Sequence, residues 1–230
     1  MLRAVERLVQ AILVVCLSAT ALQSAEKDAN RLKAPADTLN EIMAAPDKGI
    51  DKDLMAKAVC AIVIPGLKKG AFIVGAKYGR GFASCREPKG GWTAPAGVQI
   101  EGGSFGLQVG GSGSDVVILV MNQDGMQHLL KSKFTLGGDA SVAAGPVGRE
   151  TAAQTDAMMH AEMLTWSRSR GVFAGISLDG ATLRPDGDVN KALYGAGAMN
   201  KEILTGKYRV PTAAKVFVGA LDKYSPKKAA

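Results

Sequence analysis

The hydrophobic pattern of the chain changes from helical spacing to strand-like spacing near residue 59. Apolar residues recur at helical intervals within residues 26–58 and predict short helices. Compact apolar runs separated by glycines follow, and such runs are typical of β-strands. They predict strands at residues 59–64, 71–85, 98–109 and 115–121. Pro65 and Gly66 end the first run, so we expect a turn there.

The second half of the chain mixes both periods. Asn122 is a candidate N-cap for a helix over residues 122–133. Further strands are predicted within 158–170 and 172–178, and further helices over 188–194, 201–204 and from about 212 onwards. No repeat or shift in composition divides the chain. Because glycines relieve crowding where a sheet bends, we predict one α+β domain: a strongly curved antiparallel β-sheet or small barrel flanked by helices.

The first residues have the pattern of a cleavable signal peptide. Arg3 and Arg7 precede an apolar run over residues 8–17, and Ala19-Thr20-Ala21 supplies the small residues of a cleavage site. Lipidation of Cys16 is an alternative to simple cleavage. We expect a periplasmic or secreted protein, with possible peripheral association with a membrane. The predicted boundaries are 1–21 for the signal peptide, 22–36 for a polar segment, 37–224 for the domain and 225–230 for a flexible tail.

Two cysteines, Cys60 and Cys85, remain after cleavage of the signal peptide. They lie on two predicted neighbouring strands, and an exported protein meets an oxidising compartment, so we expect a disulfide between them. Two buried free thiols are the alternative. The chain has no Cys-x-x-Cys motif, so the cysteines give no support for a metal site.

The chain is basic, with a formal net charge of +7. This charge favours anionic partners, and export argues against nucleic acid as the natural one. The basic residues form two candidate sets. The first contains Lys68, Lys69, Lys77, Arg80 and Arg86, and the second contains Lys131, Lys133, Arg168 and Arg170. Such clusters attract anionic lipid, although ordinary solvated charge is the alternative for each set.

Few residues are suited to catalysis. Gly102-Gly103-Ser104-Phe105-Gly106 matches a nucleophile elbow, but Ser104 is followed by a predicted strand instead of a helix, and a serine hydrolase is the least favoured alternative. His160 and Glu162 would give only two metal ligands. The chain has no Walker motif or dinucleotide fingerprint. We therefore expect no enzymatic activity, no metal and no cofactor.

Several segments together resemble the SYLF family, from about residue 53 to residue 194. The similar pieces are Ala-Lys-Ala-Val-Cys-Ala-Ile-Val-Ile-Pro (56–65), Lys-Gly-Ala-Phe-Ile-Val-Gly-Ala-Lys-Tyr-Gly-Arg-Gly (69–81), Gly-Trp-Thr-Ala-Pro-Ala (91–96), Gly-Gly-Ser-Phe-Gly-Leu-Gln-Val-Gly (102–110), Asp-Val-Val-Ile-Leu-Val-Met-Asn (115–122), Ser-Lys-Phe-Thr-Leu-Gly-Gly-Asp-Ala (132–140) and Ala-Leu-Tyr-Gly (192–195).

The resemblance implies a phospholipid-binding protein, linked in fungi and animals to actin at membranes. An exported member would not meet cytoplasmic actin, so anionic phospholipids at a membrane surface are the expected partners. An adaptor that binds another envelope protein is the second hypothesis. Trp92 is a candidate for either an interfacial anchor or a core residue.

Overall fold

A single curled β-sheet with helices packed on it forms the protein. The structure is a computed structural model, and it describes residues 31–44, 49–71, 74–105, 112–147, 160–169 and 172–225. The predicted signal peptide with Cys16, as well as Arg170 and residues 226–230, lie outside the described residues. Because the sheet is strongly curled and helices flank it, the predicted α+β class is confirmed.

Six α-helices are described, and residues 31–43 form the first, α1. The others are α2 (Lys52–Lys57), α3 (Gln123–Leu129), α4 (Gly187–Tyr194), α5 (Asn200–Leu204) and α6 (Lys215–Tyr224), which follows a 3₁₀ turn at Thr212–Ala214. Asn122 caps α3 by accepting a hydrogen bond from the backbone N–H of Gly125 at 2.9 Å, as its position predicted. None of the described helices is both long and apolar enough to cross a membrane.

The described strands form one nine-stranded sheet. They are β1 (Cys60–Ala71), β2 (Val74–Cys85), β3 (Ala96–Phe105), β4 (Ser112–Val120), β5 (Phe134–Thr135), β6 (Val142–Ala144), β7 (Met163–Ser169), β8 (Val172–Gly175) and β9 (Thr182–Pro185). Their order is β5-β9-β3-β2-β1-β4-β7-β6, and β8 pairs with β7 beside β6. Neighbouring strands are antiparallel except for the short parallel pair β6–β7 at one edge.

Hydrophobic side chains cover both faces of the sheet. Face A, which includes Ile62, Ile64 and Leu67, packs against side chains from α3, β5 and α5. Face B, which includes Val63 and Phe82, is covered by α1 and α6. Both faces of the central strands are therefore buried, which explains why their sequences are nearly continuous apolar runs.

The turn expected at Pro65-Gly66 is instead a β-bulge inside β1. Ile64 pairs with Val116 and Leu67 with Ser114, so three steps along β1 match two along β4. Gly66 takes a φ of +57°, which suits glycine, and its N–H donates to Asp115 Oδ1 at 3.0 Å. The chain does not reverse at this point: β1 continues to Ala71, so Lys68 and Lys69 lie on a strand.

The disulfide predicted between Cys60 and Cys85 is present and buried. The two residues are directly opposite each other on β1 and β2. Residues near both limits of the described chain are buried as well. Leu32 and Ala36 of α1 are buried at one end, and Ser225 is buried at the other.

Close approach of β1 and β2 requires glycine at position 81. A Cβ atom there would lie 2.0 Å from the carbonyl oxygen of Val63, whereas a Cβ at Gly113 of β4 would meet nothing within 4 Å. We expect Gly81→Ala to lower the free energy of unfolding by about 3 kcal/mol, because backbone must shift to accept the methyl group. Chemical denaturation measures this loss.

The matched control is Gly113→Ala, which should leave the free energy of unfolding within about 0.5 kcal/mol of the unmodified protein. Equal effects of the two substitutions would contradict the described packing of β1 on β2.

Candidate functional site

The register of β1 and β2 places three lysines at neighbouring positions of these two strands. Lys68 is opposite Tyr78, and Lys69 is opposite Lys77. Lys68 is exposed, Lys77 is half-buried, and Tyr78 is 43% exposed. We call this group of four residues the basic end. The described contacts give Lys68 and Lys77 no carboxylate partner, so their charges are available to a ligand.

The sequence around the basic end contains no acidic residue. Residues 54–86, which include all of β1 and β2, carry six Lys or Arg residues and no Asp or Glu. The nearest carboxylates on the adjoining strands are already paired. Glu101 of β3 binds Arg184 at 3.0 Å, and Asp115 of β4 binds Arg168 at 2.9 Å. The potential at the basic end is therefore positive.

Arg80 lies farther along β2 and is held by Asp186. Its Nε and Nη2 atoms donate to the two carboxylate oxygens at 2.6 and 2.7 Å. The hydrogen bond to Asp186 raises the pKa of Arg80. Burial alone would raise the pKa of Asp186, but hydrogen bonds from Arg80, the backbone N–H of Val189 and Gln99 outweigh it and lower that pKa. Arg80 is therefore neutralised within the fold.

Asp186 also belongs to a buried polar network that fixes two helices to β3. It caps α4 by accepting from Val189 N–H at 3.3 Å. Asn190 accepts from Gly97 N–H at 2.8 Å and donates to Asn200 of α5 at 2.5 Å. Asn200 in turn donates to the Gly97 carbonyl at 3.1 Å. The three side-chain-bearing residues of this network are nearly inaccessible to solvent, so these hydrogen bonds specify how α4 and α5 dock.

Arg86 lies at the opposite end of β2 from the lysines. It donates to the carbonyl of Ser225 at 2.8 Å and to the Ser225 hydroxyl, and its guanidinium lies 4.1 Å from the centre of the Trp92 ring. Desolvation lowers the pKa of Arg86. Trp92 is 3% exposed, so it is a core residue and not an exposed anchor. Arg86 therefore secures the carboxyl end of α6.

Arg168 connects three elements on face B. It forms ion pairs with Asp115 of β4 at 2.9 Å and with Glu41 of α1. The hydrogen bond to Asp115 is the largest contribution that raises the pKa of Arg168. Because Asp115 also accepts the Gly66 N–H, this cluster joins α1 to the bulge. Its neighbour in the second candidate set, Arg170, lies outside the described residues.

Lys131 and Lys133 lie apart from the basic end. Both are exposed, and they follow α3 just before the edge strand β5. Lys131 contacts His128 Nδ1 at 3.2 Å, whereas the described contacts include none for Lys133. Of the two candidate sets, the structure thus brings three members of the first into neighbouring positions: Lys68, Lys69 and Lys77. The other described members of the two sets lie elsewhere.

The residues considered for catalysis lie in a strand, in a helix and at the surface. Ser104 pairs with Gly75 inside the antiparallel ladder of β3 and β2, not at a strand-to-helix turn. His128 lies 3.6 Å from Glu162, and His160 is exposed. Within the described ranges, no cluster of three or more His, Cys, Asp or Glu residues is arranged to hold a metal.

A cleft of about 230 Å³ opens beside Arg80, between α1 and the sheet. Pro35, Pro65, Phe82 and Val189 contribute apolar walls. The carboxylate that lines it, Asp186, has both oxygens bound to Arg80. This carboxylate is therefore committed to the fold and not positioned as a free general base.

Comparison with known proteins identifies the family. Residues 101–224, a little more than half of the chain, match the family described as Ysc84, Las17-binding protein actin regulator. The matched residues run from the last part of β3 to the end of α6. The chain belongs to this family, the SYLF family, as the sequence motifs indicated.

Named relatives cover most of the chain. SH3 domain-containing YSC84-like protein 1 is 36% identical over 184 residues in Xenopus laevis and 33% identical over 183 residues in Homo sapiens, which is 79% of this chain in both cases. LAS seventeen-binding protein 3 of Saccharomyces cerevisiae is 33% identical over 204 residues, or 87% of this chain. The chain spans about half the length of these relatives: 55%, 53% and 44%.

Sequence reasoning missed the network around Gly97 and the exposed Tyr78. Asp186, Asn190 and Asn200 occur in a polar stretch that gave no sign of their burial. Asp186 precedes Val189 by three residues, which is the spacing of a helix N-cap. This spacing is the one feature of the sequence that indicates a structural role for Asp186. Tyr78 sits among glycines in β2, where alternation alone does not indicate which face is covered.

We expect Asp186→Asn to lower the free energy of unfolding by about 2 kcal/mol at neutral pH, because Arg80 loses its charged partner. The folded-state pKa of Asp186 is lowered. The stabilisation is therefore present above the unfolded-state pKa of about 3.9 and is lost as the pH falls through the folded value. Urea denaturation across this range checks the sign.

The control substitution is Asp188→Asn, two residues farther along α4 at an exposed position. It should cost about 0.5 kcal/mol or less at pH 7. A difference between Asp186→Asn and the unmodified protein that grows as the pH falls below 4 would contradict the assignment.

Proposed function

We propose that this protein is an exported, non-enzymatic domain that binds anionic phospholipid membranes through basic surface residues. The observation that carries the proposal is the placement of Lys68, Lys69 and Lys77 at neighbouring positions by the β1–β2 register. Lysines close to a membrane each contribute roughly 1 kcal/mol of attraction to anionic lipid. Lys68 and Lys77, for which the described contacts give no carboxylate partner, supply the positive potential that such binding needs.

The contacts of the basic residues reduce the two candidate sets to the lysines of the basic end. Arg80, Arg86 and Arg168 each make contacts that hold the fold together. Their substitution would weaken the fold along with any binding. Lys131 and Lys133 are exposed but lie at another edge, where they would contribute to a second contact only if the domain tilts. The basic end is therefore the primary contact in this proposal.

Export is part of the proposal and rests on the sequence of residues 1–21. The buried Cys60–Cys85 disulfide supports it, because stable disulfides are found mainly in oxidising compartments. In the envelope of a bacterium, phosphatidylglycerol and cardiolipin would be the anionic lipids available.

Binding of another protein is the second candidate function. It is favoured by the family description, which names a Las17-binding protein, and by the yeast relative named as a LAS seventeen-binding protein. For this chain the corresponding partner would be another envelope protein. Capture of one defined partner by the domain in detergent, with no effect of anionic lipid, would favour this function.

We expect Lys68→Gln with Lys77→Gln to weaken binding to vesicles of phosphatidylglycerol and phosphatidylcholine by about 30-fold. This estimate assumes a loss of roughly 1 kcal/mol for each lysine. Flotation of the protein with vesicles at low ionic strength measures it. Binding of the unmodified protein should fall as salt is raised, because salt screens exposed charges.

A matched control removes the same charge elsewhere. Lys201→Gln with Lys215→Gln changes two exposed lysines of α5 and α6 and should reduce flotation far less. Failure of the unmodified protein to float with anionic vesicles at low salt would refute the proposed function. Equal losses in the two double variants would refute the role of the basic end.

A further inference from the structure

A lysine, a histidine and a glutamate form a short chain of contacts beside β5. His128 lies in the last turn of α3, and its Nδ1 atom is 3.2 Å from Nζ of Lys131. On the other side of the ring, Nε2 is 3.6 Å from Oε2 of Glu162, which precedes β7. The ring also packs against Phe134 of β5, with 6.0 Å between the ring centres. We call Lys131, His128 and Glu162 the triad.

The contact with Lys131 determines where the neutral His128 ring carries its proton. An ammonium group can only donate hydrogen bonds, so Nδ1 of the ring must accept. A neutral imidazole has one N–H group, which is therefore on Nε2, the nitrogen on the Glu162 side. The distance of 3.6 Å from Nε2 to Oε2 is longer than a hydrogen bond. The neutral ring therefore leaves Glu162 without a close donor.

Glu162 has a buried carboxylate oxygen that lacks a hydrogen bond. Its Oε2 atom is closed to solvent and accepts no hydrogen bond from the described residues. The side chains of Glu162 and His128 are only 21% and 18% exposed. A shielded carboxylate oxygen without a donor is unfavourable, and a charged donor stabilises it more than a neutral one. A protonated His128 ring would supply that donor at Nε2.

Protonation of His128 reverses the relation of the ring to Lys131. When both ring nitrogens carry hydrogen, Nδ1 can no longer accept from the ammonium group, and two positive charges would lie 3.2 Å apart. Lys131 is exposed, so its side chain can move into solvent without disturbing the core. The triad has no net charge when the ring is neutral and one positive charge when the ring is protonated.

Among the described contacts, the His128 ring has none with charged groups outside the triad. The charged and titratable groups nearby are Asp124 on α3, Lys133 and Asp139 beside β5, His160 before β7 and Arg184 on β9. Asp139 accepts a backbone N–H of β5 at 2.7 Å, and Arg184 is paired with Glu101 at 3.0 Å. The protonation of the ring is therefore coupled to the two other members of the triad.

We propose that His128 is a pH sensor whose protonation releases Lys131 and makes the α3–β5 edge a second contact for anionic membranes. This inference rests on the proposed function and adds its regulation. Lys133 is exposed two residues farther along the same edge. The basic end binds at neutral pH, and the added charge of the triad strengthens binding at lower pH. Histidine is the side chain that ordinarily changes charge between pH 5 and 8.

Flotation at two pH values tests the second contact. From about pH 7.5 to about pH 5.5, Asp, Glu and Lys side chains ordinarily keep their charges, and the chain has two histidines. Binding of the unmodified protein to vesicles of phosphatidylglycerol and phosphatidylcholine should rise by about fivefold, as expected for one added charge. His128→Gln should lose most of this gain. The matched control is His160→Gln, at an exposed position, and it should keep the gain.

Competitive acetylation tests the sensor without any membrane. The ratio of acetylation at Lys131 to acetylation at Lys133 should rise by about twofold or more over the same pH range, because the Lys131 side chain leaves the ring. Both lysines are exposed, and comparing them in one sample cancels the effect of pH on the reagent. In His128→Gln the ratio should stay constant.

A second variant changes the released lysine and leaves the ring in place. Lys131→Gln alters an exposed side chain, so its melting temperature should stay within a few degrees of that of the unmodified protein. It should lose most of the gain in flotation although both histidines are unchanged. A full gain in Lys131→Gln would overturn the role of Lys131.

The outcomes separate this inference from the proposed function. An acetylation ratio that responds to pH, together with a flotation gain that His128→Gln loses, supports the inference. A constant ratio in the unmodified protein, or an equal flotation gain in His128→Gln, overturns the inference and leaves the proposed function intact. If the unmodified protein floats at neither pH, the proposed function fails and the second membrane contact fails with it.

Discussion

One extra residue in β1 determines which side chains of the central hairpin enter the core. Side chains alternate between faces along a strand, so a shift by one residue moves every later side chain to the other face. Without the bulge at Pro65-Gly66, Leu67 would leave the core and Lys68 would point into it beside Ile64. With the bulge, Leu67 stays on face A and Lys68 is exposed.

The bulge itself depends on contacts from distant parts of the chain. Gly66 supplies the positive φ, and Asp115 accepts its N–H. Arg168 holds Asp115 and also pairs with Glu41 of α1. Arg168, which the sequence suggested as a lipid-binding residue, therefore helps to hold the bulge that precedes the basic end. This division separates arginines that stabilise the fold from lysines that remain available to a ligand.

The sequence predicted the class of fold, the main strands, the disulfide and the family, because each depends on local or strongly repeated patterns. The bulge was mistaken for a turn because Pro-Gly is a common turn pair, and only pairing with β4 reveals the extra residue. The short strands β5 and β9 were missed since two to four residues give no period. The roles of Arg80 and Arg86 depend on Asp186 and Ser225, which are distant in sequence.

Covalent labelling of lysines tests the central claim most directly, because it compares every lysine of the unmodified chain at once. With vesicles of phosphatidylglycerol present, acetylation of Lys68 and Lys77 should fall several-fold, while acetylation of Lys201 and Lys215 should not change. Protection that is equal across these four lysines, or is confined to Lys201 and Lys215, would contradict the account.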